Sequence, residues 1–147
     1  MKVKECMCKD VICAKENSSI CDVAKLMEEN HVGCIPICND KNELVGLITD
    51  RDIALRGVAC NKNVCTTPAS EIMTTKVYNL TPDCEVTQAS NLMCECQVRR
   101  VPVLENNKII GIISLGDLAH HPQVSNEEVS TTVEGICRCN NNPKNAE

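Results

Sequence analysis

A chain of 147 residues suits one compact body, or two half-domains sharing a core, and is too short for two large independent units. A net charge of −5 and a pI near 5.2 supply no basic field for nucleic acid phosphates or anionic lipid. No stretch approaches the roughly 18 apolar residues of a membrane helix, so neither nucleic acid nor membrane is expected as a partner.

The first ten residues, MKVKECMCKD, carry charges but no apolar export segment. The thirteen cysteines are odd in number. They therefore read as reduced thiols of a cytoplasmic chain rather than as a disulfide framework. Tyr78 is the only aromatic residue, so the core has to be filled by Val, Ile, Leu, Met and Cys. A short strand is expected near Val11. Ser19 followed by Asp22 is a capping-box-like start, and Ile20, Val23, Ala24 and Met27 recur on one helical face. CIPIC (34–38) reads as an apolar strand, NDKN (39–42) as a polar turn and ELVGLIT (43–49) as a strand covered on both faces, the two pairing as a hairpin. Asp50 to Arg56 predicts a short helix, closed by Gly57 in the left-handed conformation. The unit is β-α-β-β-α. GVACNKNVCTTPASE (57–71) reads as a polar connector. The same elements follow from Val77 through Ala119, with Val86, Ala89, Ser90 and Met93 as the helix stripe. Ser125 with Glu128 then starts a short helix whose apolar side is Val129, Val133 and Ile136, and the residues after Cys139 read as a frayed tail.

The recurrence is a repeat. A shift of 66 positions places Met7 on Met73, Ile20 on Val86 and IPI (35–37) on VPV (101–103). One deletion makes the shift 65, and Gly46 falls on Gly111, Thr49 on Ser114 and Asp52 on Asp117. The expected fold is mixed α/β (α+β): repeat 1 over 1–60, a connector over 61–71, repeat 2 over 72–121, and a short helix and tail over 122–147.

Both repeats spell glycine, two aliphatics, a hydroxyl, two free positions and Asp. Thr49 with Asp52, and Ser114 with Asp117, have the spacing of a capping box. Capping does not account for Gly46 and Gly111, which sit in strands where glycine is costly, so something is expected to approach the backbone closely there. A strand end, a hydroxyl and a helix N-terminus favour an anion such as phosphate, and an acid one turn on can accept from sugar hydroxyls. Four of the five arginines, Arg51, Arg56, Arg99 and Arg100, flank this signature or the VPV strand, and guanidinium forks suit phosphate.

These paired motifs resemble the cystathionine-β-synthase-type (CBS) repeat, and two in tandem resemble the pair called a Bateman module, here of the stand-alone bacterial type, over about residues 1 to 120. The resemblance implies two repeats packed with pseudo-twofold symmetry. It also implies clefts between them that bind adenosine-containing ligands: AMP, ADP, ATP or S-adenosylmethionine. By that resemblance Asp52 and Asp117 would hold ribose, Thr49 and Ser114 the phosphate side, and Ile35, Ile37, Val101 and Val103 would flank adenine, next to Gly46 and Gly111. Arg51, Arg99 and Arg100 are the cations expected on the phosphate side. Cys34 stands where the second repeat has Arg100, and Gly116 where the first has Arg51, so the two clefts are expected to be unequal. The implied function is regulatory and non-catalytic, with no required cofactor, a homodimeric state and a regulated protein partner.

Three other readings compete. An enzyme would need an oriented nucleophile, and GIISLGD lacks the first glycine of a nucleophile elbow, Ile112 standing in its place. The C-x-C pairs Cys6/Cys8, Cys94/Cys96 and Cys137/Cys139 would make a zinc or redox site if the termini met, whereas His120 and His121 read as helix-end residues. The third is an interaction scaffold with empty clefts.

Overall fold

The computed structural model describes residues 1–138. In chain order its elements are α1 (Val3–Cys6), β1 (Ala14–Lys15), α2 (Ile20–Asn30), β2 (Cys34–Cys38), β3 (Leu44–Thr49) and α3 (Asp50–Asp52). A π-helical turn (Ile53–Val58) and a 3-10 turn (Ala69–Glu71) follow. After them come α4 (Val86–Cys96), β4 (Arg100–Glu105), β5 (Lys108–Ser114), α5 (Leu115–His120) and α6 (Asn126–Cys137). They group into two units, one from Asp10–Val77 with Asn106–Ile109, the other from Met1–Lys9, Tyr78–Glu105 and the chain from Ile110 onward.

In the unit of the first repeat, the hydroxyl of Ser19 accepts the N–H of Asp22 at 3.1 Å and starts α2. Ile20, Val23 and Met27, spaced for one helical face, are its buried residues. The sheet has the order β1-β2-β3, with β1 parallel to β2 and β2 antiparallel to β3. Asn39 closes the β2–β3 turn, its side-chain oxygen accepting from the N–H groups of Lys41 (3.0 Å) and Glu43 (2.9 Å). Ile20, Ile35, Ile37 and Ile48 have no solvent exposure, and each such side chain contributes about 1.5–3 kcal/mol by leaving water.

In the unit of the second repeat, β4 and β5 form a two-stranded sheet, and α4 buries Val86, Ala89, Ser90 and Met93, the predicted stripe. Ser125 caps α6 through Glu128 N–H at 3.1 Å. Helices α4 and α6 approach closely at Gly135, where an added Cβ would collide with the Cys94 thiol.

Four local expectations need correction. The first strand lies at Ala14–Lys15, three residues beyond Val11, because Ala14 is the buried residue that pairs with Ile37. In the second repeat its counterpart is a single parallel bridge, Leu80 with Val103. Gly57 is not left-handed. The helix continues past it through the π-helical turn, with Ala59 N–H bonded to the Ala54 carbonyl at 2.9 Å, and Gly57 is buried against Ile20. The polar connector packs into the first unit, since Ala69 joins its core, with Ile72 just beyond, and Ala69 N–H bonds the Ser18 carbonyl at 2.7 Å. On α6, Thr132 and Ile136 are buried while Val133 is 39% exposed. The Thr132 hydroxyl tolerates burial by donating to the Glu128 carbonyl at 2.7 Å. The stretch after Cys139, predicted to fray, lies outside the described residues.

The close approach expected at the two signature glycines is met by methionine. A Cβ on Gly46 would lie 2.6 Å from the Met73 sulfur and 3.0 Å from the Thr74 carbonyl oxygen. One on Gly111 would collide with the Met7 sulfur and lie 3.0 Å from the Cys8 carbonyl oxygen. Those segments pair with the glycine-bearing strands as extra edges. Leu47 and Thr74 exchange backbone bonds of 3.0 and 2.8 Å, and Cys8 and Ile112 exchange two of 2.9 Å. The segment leading into the second repeat thus completes the first unit, and the one leading into the first repeat completes the second.

The leading segment is also tied by surface ion pairs, Lys2 to Glu85 at 2.6 Å and Lys4 to Asp83 at 2.7 Å. Their hydrogen bonds hold Asp83 and Glu85 below, and Lys2 and Lys4 above, their ordinary pKa values.

Two predictions follow from this packing. Gly111→Ala should destabilise the fold by about 1–3 kcal/mol through overpacking. Adding Met7→Ala should recover part but not all of the loss in a denaturant titration, because the Cys8 carbonyl cannot be trimmed. Glu85 and Asp83 have depressed folded values, so their contribution is complete at neutral pH and is lost as pH falls through those lowered values. Amide exchange at Val3, whose N–H bonds the Cys84 carbonyl at 2.8 Å, should accelerate relative to the core under acid, and unchanged relative protection would refute the anchoring.

Candidate functional site

Strand β3 ends at Thr49 and the chain turns directly into α3. Thr49 is extended, with φ −105°; its hydroxyl accepts the Asp52 N–H at 3.2 Å, while its own N–H donates to Asp52 Oδ2 at 2.9 Å. Ser114 repeats the arrangement at the end of β5. Its hydroxyl accepts the Asp117 N–H at 3.1 Å and donates to Asp117 Oδ2 at 2.7 Å, and its N–H donates to the same oxygen at 2.7 Å. The spacing of the signature therefore builds a reciprocal capping box in both repeats.

Each carboxylate spends Oδ2 on this box. Asp52 Oδ1 faces the Arg56 guanidinium, 3.8 Å from Nε, and the Asp52 side chain is 14% exposed. Asp117 Oδ1 has no hydrogen-bond partner among the described residues, so it retains its capacity to accept from a ligand hydroxyl.

Backbone bonds fix what surrounds the boxes. Asp50 N–H donates to the Gly33 carbonyl at 3.0 Å, and Leu115 N–H, its counterpart, donates to the Arg99 carbonyl at 2.9 Å. The residue entering the first hairpin strand is thereby held against the start of the short helix. The Arg99 carbonyl is thus fixed at the start of α5, and Arg99 and Arg100 are both exposed. In the first repeat the matching positions are Gly33 and Cys34, and a Cβ on Gly33 would lie 3.1 Å from a carboxylate oxygen of Asp50. The first box therefore has its acid facing Arg56, with exposed Arg51 adjacent in sequence, whereas the second has the Arg99 carbonyl bonded to Leu115, the residue after Ser114.

The other predicted site residues are internal. Ile35, Ile37, Val101 and Val103 have no exposure and belong to the two cores, and Gly46 and Gly111 are buried under Met73 and Met7. The predicted residues that carry polar side chains at or near the surface are Thr49, Arg51, Asp52, Arg99, Arg100, Ser114 and Asp117.

Cys6, singled out in the sequence only as half of a C-x-C pair, lies instead against the second box: its thiol donates to the Asp117 carbonyl at 3.6 Å, and burial, and then the Asp117 charge, push that thiol up. Among the described residues no cluster of three or more His, Cys, Asp or Glu is arranged to hold a metal. Cys139, half of one predicted C-x-C pair, lies outside them. His120 ends α5 with its Nδ1 2.7 Å from the Gly116 carbonyl oxygen, and His121 Nδ1 accepts from Gln123 N–H at 3.3 Å, the helix-end roles expected. Among the described residues no helix is long and apolar enough to cross a membrane.

Comparison with known proteins agrees with this architecture. The model of the CBS domain matches residues 3–57 and 69–123. The CBS domain-containing protein YhcV of Bacillus subtilis is 38% identical over 138 residues, covering 94% of this chain and 96% of that protein. The crystal structure of Hypoxic Response Protein I with two coordinated zinc ions is similar at a TM-score of 0.77 and 33% identity, over 83% of this chain and 100% of the other. The CBS domain pair of protein MJ0100, in complex with 5-methylthioadenosine and S-adenosyl-L-methionine, is similar at a TM-score of 0.74 and 31% identity, over 81% and 93% of the respective chains. Two matched repeats in one chain, each ending its second hairpin strand in the same hydroxyl–carboxylate box, place this protein in the CBS domain family as a tandem pair.

Proposed function

We propose that the chain is a non-catalytic sensor module that binds an adenosine-containing ligand, AMP, ADP, ATP or S-adenosylmethionine, and reports occupancy to a protein partner. The observation that carries this reading is the Ser114–Asp117 box, with its carboxylate oxygen Oδ1 uncommitted and the Arg99 backbone, followed by exposed Arg100, bonded to the start of the same helix. A carboxylate oxygen accepts both hydroxyls of a ribose, and guanidinium forks suit a phosphate or another anionic group. The MJ0100 complex supports adenosine chemistry in a related pair. Thr49, Asp52 and Arg51 form the first repeat's version, in which Arg56 already engages the acid. The strands carrying Ile35, Ile37, Val101 and Val103 would meet an adenine ring through backbone groups in this conformation, because the side chains are internal.

The zinc ions of Hypoxic Response Protein I raise a metal-binding alternative for a cysteine-rich chain. It lacks support here, since no three candidate ligands converge among the described residues.

Calorimetry of the full chain against AMP, ADP, ATP, S-adenosylmethionine and adenosine tests the reading, and failure of every ligand to bind below about millimolar would end it. Asp117→Ala should weaken binding about ten- to a hundredfold, the worth of a charge-assisted hydrogen bond, and should also cost about 1 kcal/mol of stability through the lost cap. Asp117→Asn keeps one oxygen for the cap, so it separates the roles: affinity should fall while the melting temperature holds. The Arg99 and Arg100 environment predicts a larger loss for AMP than for adenosine at this site, and equal losses would remove the arginines from phosphate recognition.

Association as a homodimer is the second expectation. Leu55 and Val58 on the π-helical turn are 48% and 63% exposed, and a partner chain would cover them. Light scattering at tens of micromolar should give a dimer, and Leu55→Asp with Val58→Asp should give a monomer with an unchanged circular dichroism spectrum. A wild-type monomer under both apo and liganded conditions would refute it.

A further inference from the structure

All twelve cysteines among the described residues are unbridged, but two of them touch. Cys13 and Cys38 share a side-chain hydrogen bond. In the parallel β1–β2 ladder Lys15 pairs with Cys38, and strand alternation puts Cys13 on the same face as Lys15 and hence as Cys38. The β2–β3 register shifts between Ile37 and Cys38, and such a bulge re-aims the side chain at that position. Cys13 precedes β1 and lies outside the β1–β2 register, so bringing its sulfur from hydrogen-bond to bonding distance displaces no residue of that register. One thiol is exposed and the other is 3% exposed. A groove of about 420 Å³ opens beside Cys38, with Lys15 and Lys41 and the acids Glu16, Asp40 and Glu43 in its lining. The fold does not require sulfur at these places, because the matching residues of the second repeat are Asn79 and Leu104.

We propose that Cys13 and Cys38 are a redox couple, closing to an intramolecular disulfide by exchange with a low-molecular-weight disulfide that enters through this groove. In the first step one protein thiol loses its proton to solvent and attacks the small disulfide. A mixed protein disulfide forms and one small thiol leaves. The second protein thiol, likewise deprotonated, attacks the protein sulfur of that mixed disulfide, forming the Cys13–Cys38 bond and releasing the second small thiol. The protein pair loses two electrons and two protons, and the small disulfide is reduced to two thiols. Closure would tie the residue before β1 to the end of β2, the strand that carries Ile35 and Ile37. Burial, with the neighbouring Cys38, pushes the Cys13 thiol up to about 12, and Lys15 opposes this. Cys13 is therefore a thiol at neutral pH, and closure should accelerate as pH rises because exchange needs the thiolate.

The test uses the full chain and oxidised glutathione as probe, followed by alkylation of remaining thiols, proteolysis and mass spectrometry. The expected product joins the peptide containing Cys13 to that containing Cys38, is short of two hydrogens, occurs in single chains and is reversed by a dithiol reductant. Cys34 lies near Cys38 in sequence, so the mapping is repeated in Cys34→Ser. Closing this loop should raise the melting temperature by roughly 5 to 10 °C, and Cys13→Ser, at an exposed position, should abolish both the cross-link and the rise. Were Cys38→Ser to fold poorly, Cys13→Ser alone carries the comparison. Stable glutathione adducts on Cys13 with Cys38 still alkylatable would overturn the proposal, as would bridges that join other cysteines or separate chains.

Discussion

The pairing of each glycine-bearing strand with the segment that leads into the other repeat is the constraint on which the molecule depends. Cys8 bonds Ile112 and Thr74 bonds Leu47, and these bonds bring Met7 and Met73 over Gly111 and Gly46. Neither hairpin completes this arrangement with its own leading segment. The covalent repeat and the packed unit are consequently out of phase, and the first nine residues belong with the second repeat. Glycine is needed at both positions because a thioether and a carbonyl occupy the space of its side chain, a packing reason that competes with the ligand reason suggested by the motif. A core almost free of aromatic rings also explains why an unbranched, polarizable methionine fills this gap.

Downstream of each glycine the same few atoms serve two ends. The hydroxyl and carboxylate of the box satisfy backbone donors at a helix start, which local physics demands wherever a strand turns directly into a helix. Capping consumes one carboxylate oxygen. What the other oxygen meets is decided by neighbours, Arg56 in the first repeat and no described protein partner in the second. The two repeats thus share a backbone solution while differing in charge and commitment, so a duplicated motif need not carry duplicated chemistry.

Divergence also shows in sulfur. Most of the cysteines stand where a small apolar or weakly polar side chain serves, as with Cys94 against Gly135 and Cys6 behind Asp117. Cys13 and Cys38 differ because two sulfurs are brought together in only one repeat, at positions where Asn79 and Leu104 show that the fold accepts other residues.

Periodicity and turn chemistry are local properties, and what depended on them was readable from the chain. The α2 and α4 stripes, the two hairpins, the Ser19 and Ser125 caps and both capping boxes follow from side-chain spacing and from backbone donors seeking acceptors within three residues. The internal repeat set the family resemblance for the same reason, since it needs only order and identity along the sequence. Tertiary structure decided the rest. Gly57 was misread as a helix stop because burial against Ile20, which is far away in sequence, keeps the turn helical. The stretch read as a polar connector contributes Ala69, which is a core residue only once the first sheet exists. Met7 over Gly111, Arg99 bonded to Leu115, and Cys13 touching Cys38 join residues separated by 16 or more positions. No local preference encodes such contacts, which form only when burial of the apolar stripes brings those segments together.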